Sequence, residues 1–192
     1  MPLPIPHPNR KRLHERKIVF EGWERDDGML DIEAQMTDIK DHDVMLGSGP
    51  RAMGQPIHDM RIRVTVDRKF NVVDVAASSD AVPYPGGCET INPAYKQLLG
   101  LNLVKGFRHE VTARLGSVNG CTHLTELAFG LPTAAIQTFV SLKKELPLPS
   151  DKKPFQLDSC HALNTTGETV RRYYPKWFRD TAAVMQSVVS EN

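Results

Sequence analysis

The sequence predicts an α+β fold: an N-terminal antiparallel sheet of about four strands, built as two hairpins, followed by packed helices. Two observations predict it. Apolar and polar residues alternate with a period of two through most of residues 16–77, and apolar residues recur at helical spacing from residue 89 onward. A length of 192 residues suits one ordinary domain. The expected layout is a proline-rich extended leader over residues 1–13, a single α+β domain over residues 14–180, and a tail over residues 181–192.

The leader carries Pro2, Pro4, Pro6 and Pro8, whose missing amide donors rule out a regular element. Ile18 and Phe20 then alternate with charge, Asp26-Asp27-Gly28 supplies a turn, and Leu30, Ile32, Ala34 and Met36 alternate with Asp31, Glu33, Gln35 and Thr37. This is a hairpin with one wet face. Asp38, Lys40, Asp41, His42 and Asp43 read as a solvated loop, and Arg16, Arg25 and Asp27 as surface residues. A polar stretch with Gly47, Gly49, Pro50 and Gly54 connects to the second hairpin. There Ile62, Val64 and Val66 oppose Arg61, Arg63 and Thr65, and the return strand covers residues 72–77.

Beyond Pro83, Pro85 and Gly86-Gly87, residues 89–99 carry Ile91, Tyr95, Leu98 and Leu99 at helical spacing. Residues 103–115 fit a helix or a strand. Residues 122–145 place Leu124, Leu127, Leu131, Ala135, Phe139 and Leu142 on one stripe, which Gly130 and Pro132 are expected to divide into two helices. Residues 146–154 read as a linker to a terminal piece with Cys160, His161 and the aromatic run Tyr173, Tyr174, Trp177 and Phe178.

Twenty-four basic against 23 acidic residues give a net charge of +1, so no global field attracts nucleic acid or an anionic membrane, and neither partner is expected. No apolar run approaches the ~20 residues that cross a bilayer, and the leader lacks the apolar middle of a secretion signal. A cytoplasmic location is expected. Three cysteines, Cys88, Cys121 and Cys160, are an odd count that argues against a disulfide framework.

Gly120-Cys121-Thr122-His123-Leu124, followed by Glu126, sets a thiol and an imidazole at the start of a predicted helix, where free amides favour a thiolate. Cys88 also precedes a predicted helix, and Cys160 adjoins His161. Cys88 and Cys160 taken singly are equally small buried apolar residues, whereas the flanking glycine and nearby histidine of Cys121 are harder to explain by packing. Gly54-Gln55-Pro56-Ile57-His58-Asp59-Met60 puts an imidazole beside a carboxylate at a strand start, a candidate ligand or general base, although a polar pair in that place is more often simply solvated. No phosphate loop, dinucleotide fingerprint, nucleophile elbow, Cys-x-x-Cys or His-Glu-x-x-His is present.

Arg25-Asp26-Asp27-Gly28, Ile57-His58-Asp59-Met60, Gly120-Cys121-Thr122-His123-Leu124 and Cys160-His161-Ala162 together resemble a bacterial family of unknown function, over roughly residues 14–175. A more distant resemblance is to the iron-sulfur cluster assembly scaffolds. Residues 60–77 look like their hairpin, Gly87-Cys88 like the central cysteine loop, and Cys121 to Leu124 like the last cysteine and its helix. The first scaffold cysteine is absent, and His58 and Asp59 stand near its place. That resemblance implies a metal or sulfur site drawn from His58, Asp59, Cys88 and Cys121, with His123 and Cys160 as further candidates, holding zinc, iron or an iron-sulfur cluster.

Three functions remain open at this level. The first is metal or sulfur handling by those residues. The second is a metal-free enzyme in which Cys121 is the nucleophile, His123 or His161 its base, and Asp59 or Glu126 the orienting carboxylate, acting on a small molecule. The third is a non-catalytic partner protein. Oligomeric state is not encoded in any of these features.

Overall fold

The computed structural model describes residues 2–142 and 152–180. The chain forms two compact units, residues 1–144 and residues 145–192. In the first, four long strands, β1 (His14–Glu24), β2 (Leu30–Lys40), β5 (Pro56–Val66) and β6 (Val72–Ala81), make one antiparallel sheet in the order β1-β2-β5-β6. The two expected hairpins pair through their inner strands. The polar connection between them is not featureless, because β3 (Val44–Leu46) and β4 (Gly49–Arg51) close a small hairpin of their own.

Alternation explains the sheet. Leu30, Ile32, Ala34 and Met36 on β2 and Met60, Ile62 and Val64 on β5 are buried on one face, while Glu33, Arg61 and Arg63 lie on the wet face. The helical layer covers the apolar face. A 3-10 helix (Cys88–Leu98) packs on β6, followed by α1 (Phe107–Leu115) and α2 (Thr122–Ser141), and α2 lies on β1, β2 and β5. Residues 103–115 thus resolve as a helix from Phe107. The segment expected as an ordinary helix over residues 89–99 takes 3-10 form with Pro93 inside it.

The expected break in the long apolar stripe does not occur. α2 runs unbroken through Pro132, although a proline inside a helix costs about 3 kcal/mol. Leu124, Leu127 and Leu131 are each fully buried in the core, and at about 2 kcal/mol apiece their burial outweighs that cost. Gly130 is not a breaker but a contact point. The Phe20 ring of β1 lies where a Gly130 side chain would begin, and Gly22 likewise meets Thr138. Two glycines, one on each element, let α2 sit directly on β1.

Among the described residues, no helix is long and apolar enough to cross a membrane.

The second unit contains α3 (Glu168–Tyr173) and short 3-10 turns at His161–Leu163 and Pro175–Trp177. Residues 146–151 of the expected linker and the tail over residues 181–192 lie outside the described residues. Within the unit Asp158 is a hub, accepting hydrogen bonds from Lys153 Nζ at 2.7 Å, Thr165 N at 2.8 Å and Thr165 Oγ1 at 2.9 Å. Lys153 and the two Thr165 donors hold its pKa down to about 2. A depressed carboxylate pKa stabilises the fold above the ordinary value of 3.8, and that contribution is lost as the pH falls through about 2. Asp158→Asn should therefore flatten the acid unfolding of this unit between those limits, followed by Trp177 fluorescence in a Trp23→Phe background.

Candidate functional site

The chemistry collects where the apolar face of the sheet runs out of apolar residues. Each of three strands continues its inward parity with a polar side chain: β1 past Phe20 and Ile18 to Arg16 and His14, β2 past Met36 to Asp38, and β5 back from Met60 to His58. Register aligns them, with Arg16 opposite Asp38 and Asp38 opposite His58. A bulge adjoins this row: Asp38 pairs with His58 but Ile39 pairs with Pro56, so Ile57 is an extra residue on β5. Bulges re-aim side chains. Here Ile57 is buried and His58 stays turned toward Asp38.

The fourth wall is the start of α2. Cys121 is its N-cap residue, in extended conformation at φ −94° and ψ 130°. Tyr95, fully buried, anchors that start: its hydroxyl accepts from Cys121 N at 3.0 Å and donates to Cys121 O at 2.8 Å. Burial raises the Tyr95 pKa, so the phenol remains a donor. The anchored turn lowers His123 and Glu126 onto the strand row.

Asp38 is the centre. Its side chain is 5% exposed, against 14% for His58 and 23% for His123, so the cluster opens from a buried carboxylate toward solvent. Oδ1 accepts from His14 Nε2 and Arg16 Nε, both at 2.8 Å. Oδ2 accepts from Arg16 Nη2 at 2.8 Å and from His58 Nδ1 at 2.9 Å. Burial works to raise the Asp38 pKa, but hydrogen bonds from Arg16, His14 and His58 outweigh it and hold the carboxyl well below the ordinary range. An ionised carboxylate only accepts, so the proton shared with His58 sits on Nδ1.

His123 Nε2 lies 3.9 Å from Asp38 Oδ2, and its ring centroid is 3.9 Å from that of His58, tilted by 34°. Burial, then the charges of His58 and Arg16, lower the His123 pKa against the pull of Asp38 and Glu126, which favours the neutral imidazole. Cys121 Sγ stands 3.9 Å from His123 Nδ1 and 3.9 Å from Met60 Sδ. Arg16 Nη1 bonds Glu126 at 2.8 Å. Asp38, Glu126 and Arg16 together carry one net negative charge.

One ligand atom each from Asp38, His58 and His123 falls within 4.8 Å of the others, a possible metal-binding group. Of the residues singled out from the sequence, His58, His123 and Cys121 come together. Asp59 points to the opposite face of the sheet, where it accepts from Gln35 Nε2 at 2.8 Å and pairs with Arg61. Cys88 is partly buried against the core at the start of the 3-10 helix. Cys160 is exposed in the second unit, capping the turn that holds His161.

Asp38, Arg16 and His14 are the residues that the sequence reading passed over. Asp38 is not part of a solvated loop: β2 continues through it to Lys40, and it is 3% exposed. Arg16 is likewise no simple surface residue. The signal was parity. Both charged residues occupy inward positions of their strands.

No curated protein and no solved structure matches the chain. A family model described as "Protein of unknown function (DUF2889)" matches residues 14–137, which begins with β1 and ends within α2. Every member of the cluster, from His14 to Glu126, lies inside that segment, whereas Cys160-His161-Ala162 lies outside it. The match spans well over half of the sequence, and the chain belongs to the DUF2889 family.

Proposed function

We propose that this protein binds a divalent transition metal ion through Asp38, His58 and His123. The observation that carries the reading is the convergence of one buried carboxylate and two imidazoles from three different elements, with their ligand atoms within 4.8 Å. Donors about 2.0–2.2 Å from a tetrahedral ion are about 3.4 Å apart. The 2.9 Å between His58 Nδ1 and Asp38 Oδ2 has to open slightly toward that spacing, and the ion takes the place of the proton between them. The 3.9 Å from His123 Nε2 to Asp38 Oδ2 has to close by a modest side-chain movement.

Two imidazoles and one carboxylate suit zinc, iron, cobalt or nickel rather than magnesium or calcium. Three protein donors with solvent beyond His123 leave a coordination position for water or a small molecule, as in catalytic or exchange sites rather than closed structural ones. Cys121, next to His123, is a further donor within short reach. A cluster held by Cys88 and Cys121 has less support, since Cys88 packs against the core instead of joining the group.

The expected result is one Co(II) per chain, with visible bands lost in His58→Ala and in His123→Ala and retained in Cys88→Ala and Cys160→Ala. A sulfur-to-cobalt charge-transfer band that disappears in Cys121→Ala would add the thiol to the ligand set. Absence of bound cobalt, zinc and iron from the folded protein would sink the reading. The second reading, Cys121 as a nucleophile with His123 as base, is favoured by the 3.9 Å between Sγ and Nδ1. It requires Cys121 to be alkylated faster than Cys88 and Cys160 in metal-free protein, and slower in His123→Ala.

A further inference from the structure

We propose that Arg16 is an internal cation that competes with the metal ion for Asp38 and thereby sets which ions the site accepts. The inference rests on the metal-binding reading above. Arg16 stands opposite Asp38 in the β1–β2 register and covers both carboxylate oxygens, Nε on Oδ1 and Nη2 on Oδ2, each at 2.8 Å. A two-pronged guanidinium-carboxylate contact is among the stronger side-chain pairings, and it occupies the oxygens that an ion needs. His14 and His58 add one further hydrogen bond to each oxygen. An ion that replaces the His58 proton on Oδ2 must therefore still share that oxygen, and the charge of the carboxylate, with the guanidinium.

The third prong of Arg16 gives it somewhere to go. Nη1 bonds Glu126 at 2.8 Å, and Glu126 lies one helical turn beyond His123 on α2, with about half of its side chain exposed. Glu126 holds the guanidinium when Asp38 turns to an ion. Arg16 is thus suspended between two carboxylates, one buried and one wet. The buried one is shared with the ion.

Such competition discriminates. An ion that prefers oxygen, such as magnesium or manganese, gains little from imidazole and must overcome the guanidinium through Asp38 alone. Zinc, cobalt or nickel also gains the nitrogen donors of His58 and His123. Arg16 raises the threshold for every dication and leaves only those with strong imidazole affinity above it. Arg16 is a specificity residue that never touches the ion.

The test is calorimetric titration of the full chain with Zn(II) and with Mn(II), comparing wild type, Arg16→Gln and Arg63→Gln. Arg63 lies on the wet face beside Glu33 and serves as the control. Arg16→Gln should tighten zinc at least about tenfold and make manganese binding measurable, because a unit charge near a dication is removed. Arg63→Gln should match wild type. Unchanged or weaker zinc binding by folded Arg16→Gln, with wild type binding normally, overturns this inference alone and makes Arg16 a support for Asp38. Failure of both proteins to bind either ion overturns it together with the metal reading. If Arg16→Gln does not fold, Arg16→Lys keeps the charge but cannot cover both oxygens; it should tighten zinc several-fold, and no change overturns the proposal.

Discussion

Replacing Asp38 with alanine is expected to abolish cobalt binding and to destabilise the first unit by about 2–4 kcal/mol in urea unfolding. Both effects have one cause. Asp38 is the common acceptor for Arg16, His14 and His58, and its side chain is almost fully buried. Its removal leaves the Arg16 guanidinium and the mostly buried His58 imidazole without their shared acceptor. Breaking a fully buried pair costs about 3–5 kcal/mol. The expected value is lower because Arg16 is one-third exposed and keeps Glu126 as a partner. Asp38→Asn separates charge from volume: it should recover part of the stability and none of the binding. Asp59→Ala is the contrast, since Asp59 lies on the wet face, and it should cost less than about 1 kcal/mol. Retention of full cobalt affinity in a folded Asp38→Asn protein would remove Asp38 from the ligand set.

The second large effect is expected far from the cluster. Gly22→Ala should cost about 3 kcal/mol, the upper end for overpacking, and weaken metal binding as well. A Cβ at Gly22 would collide with Thr138 Oγ1 and stand 2.6 Å from both Thr138 Cβ and Cγ2. Relief requires α2 to lift from β1, and α2 carries His123. Thr138→Ala removes Oγ1 and Cγ2 but not Cβ, so the double variant should regain only part of the loss. Thr138→Gly in the same background should regain more of the packing while paying the helix penalty of glycine, about 1 kcal/mol. A Gly22→Ala protein as stable as wild type would mean that α2 does not rest on β1 as closely as described.

Why the sheet was legible and the site only half so follows from particular residues. Leu30, Ile32, Ala34 and Met36 announce β2 by simple alternation, and the same pattern in Ile62, Val64 and Val66 announces β5. Asp38 continues the first series by one more step. As a charged residue among Lys40, Asp41 and Asp43 it resembles a wet loop, and only the parity of its position separates it from them. Asp59 shows the converse. Adjacent to His58 in sequence, it shares the parity of Arg61 and so faces away. His58 and His123 were recognisable as residue types suited to chemistry, but the link between them runs through a carboxylate of β2 that no spacing rule connects to either. Pro132 was misleading for a different reason: local propensity argued for a break, and the buried Leu124, Leu127 and Leu131 before it, with Ala135 after it, decided otherwise.

The cluster is complete only when β1, β2, β5 and the anchored start of α2 have met. Its contacts reach 110 residues along the chain, between Arg16 and Glu126, and the pairs that form within a single hairpin are those of Asp38 with Arg16 and His14. Contacts this distant along the chain are costly to close and form slowly. During synthesis β1, β2 and β5 can emerge and pair while the carboxylate still lacks its helix. An ion bound only by the finished arrangement would draw the whole first unit toward the native state by mass action, gaining about 2.7 kcal/mol at a hundredfold excess over its dissociation constant. Metal supply would then govern how much folded protein accumulates, as well as what the folded protein does.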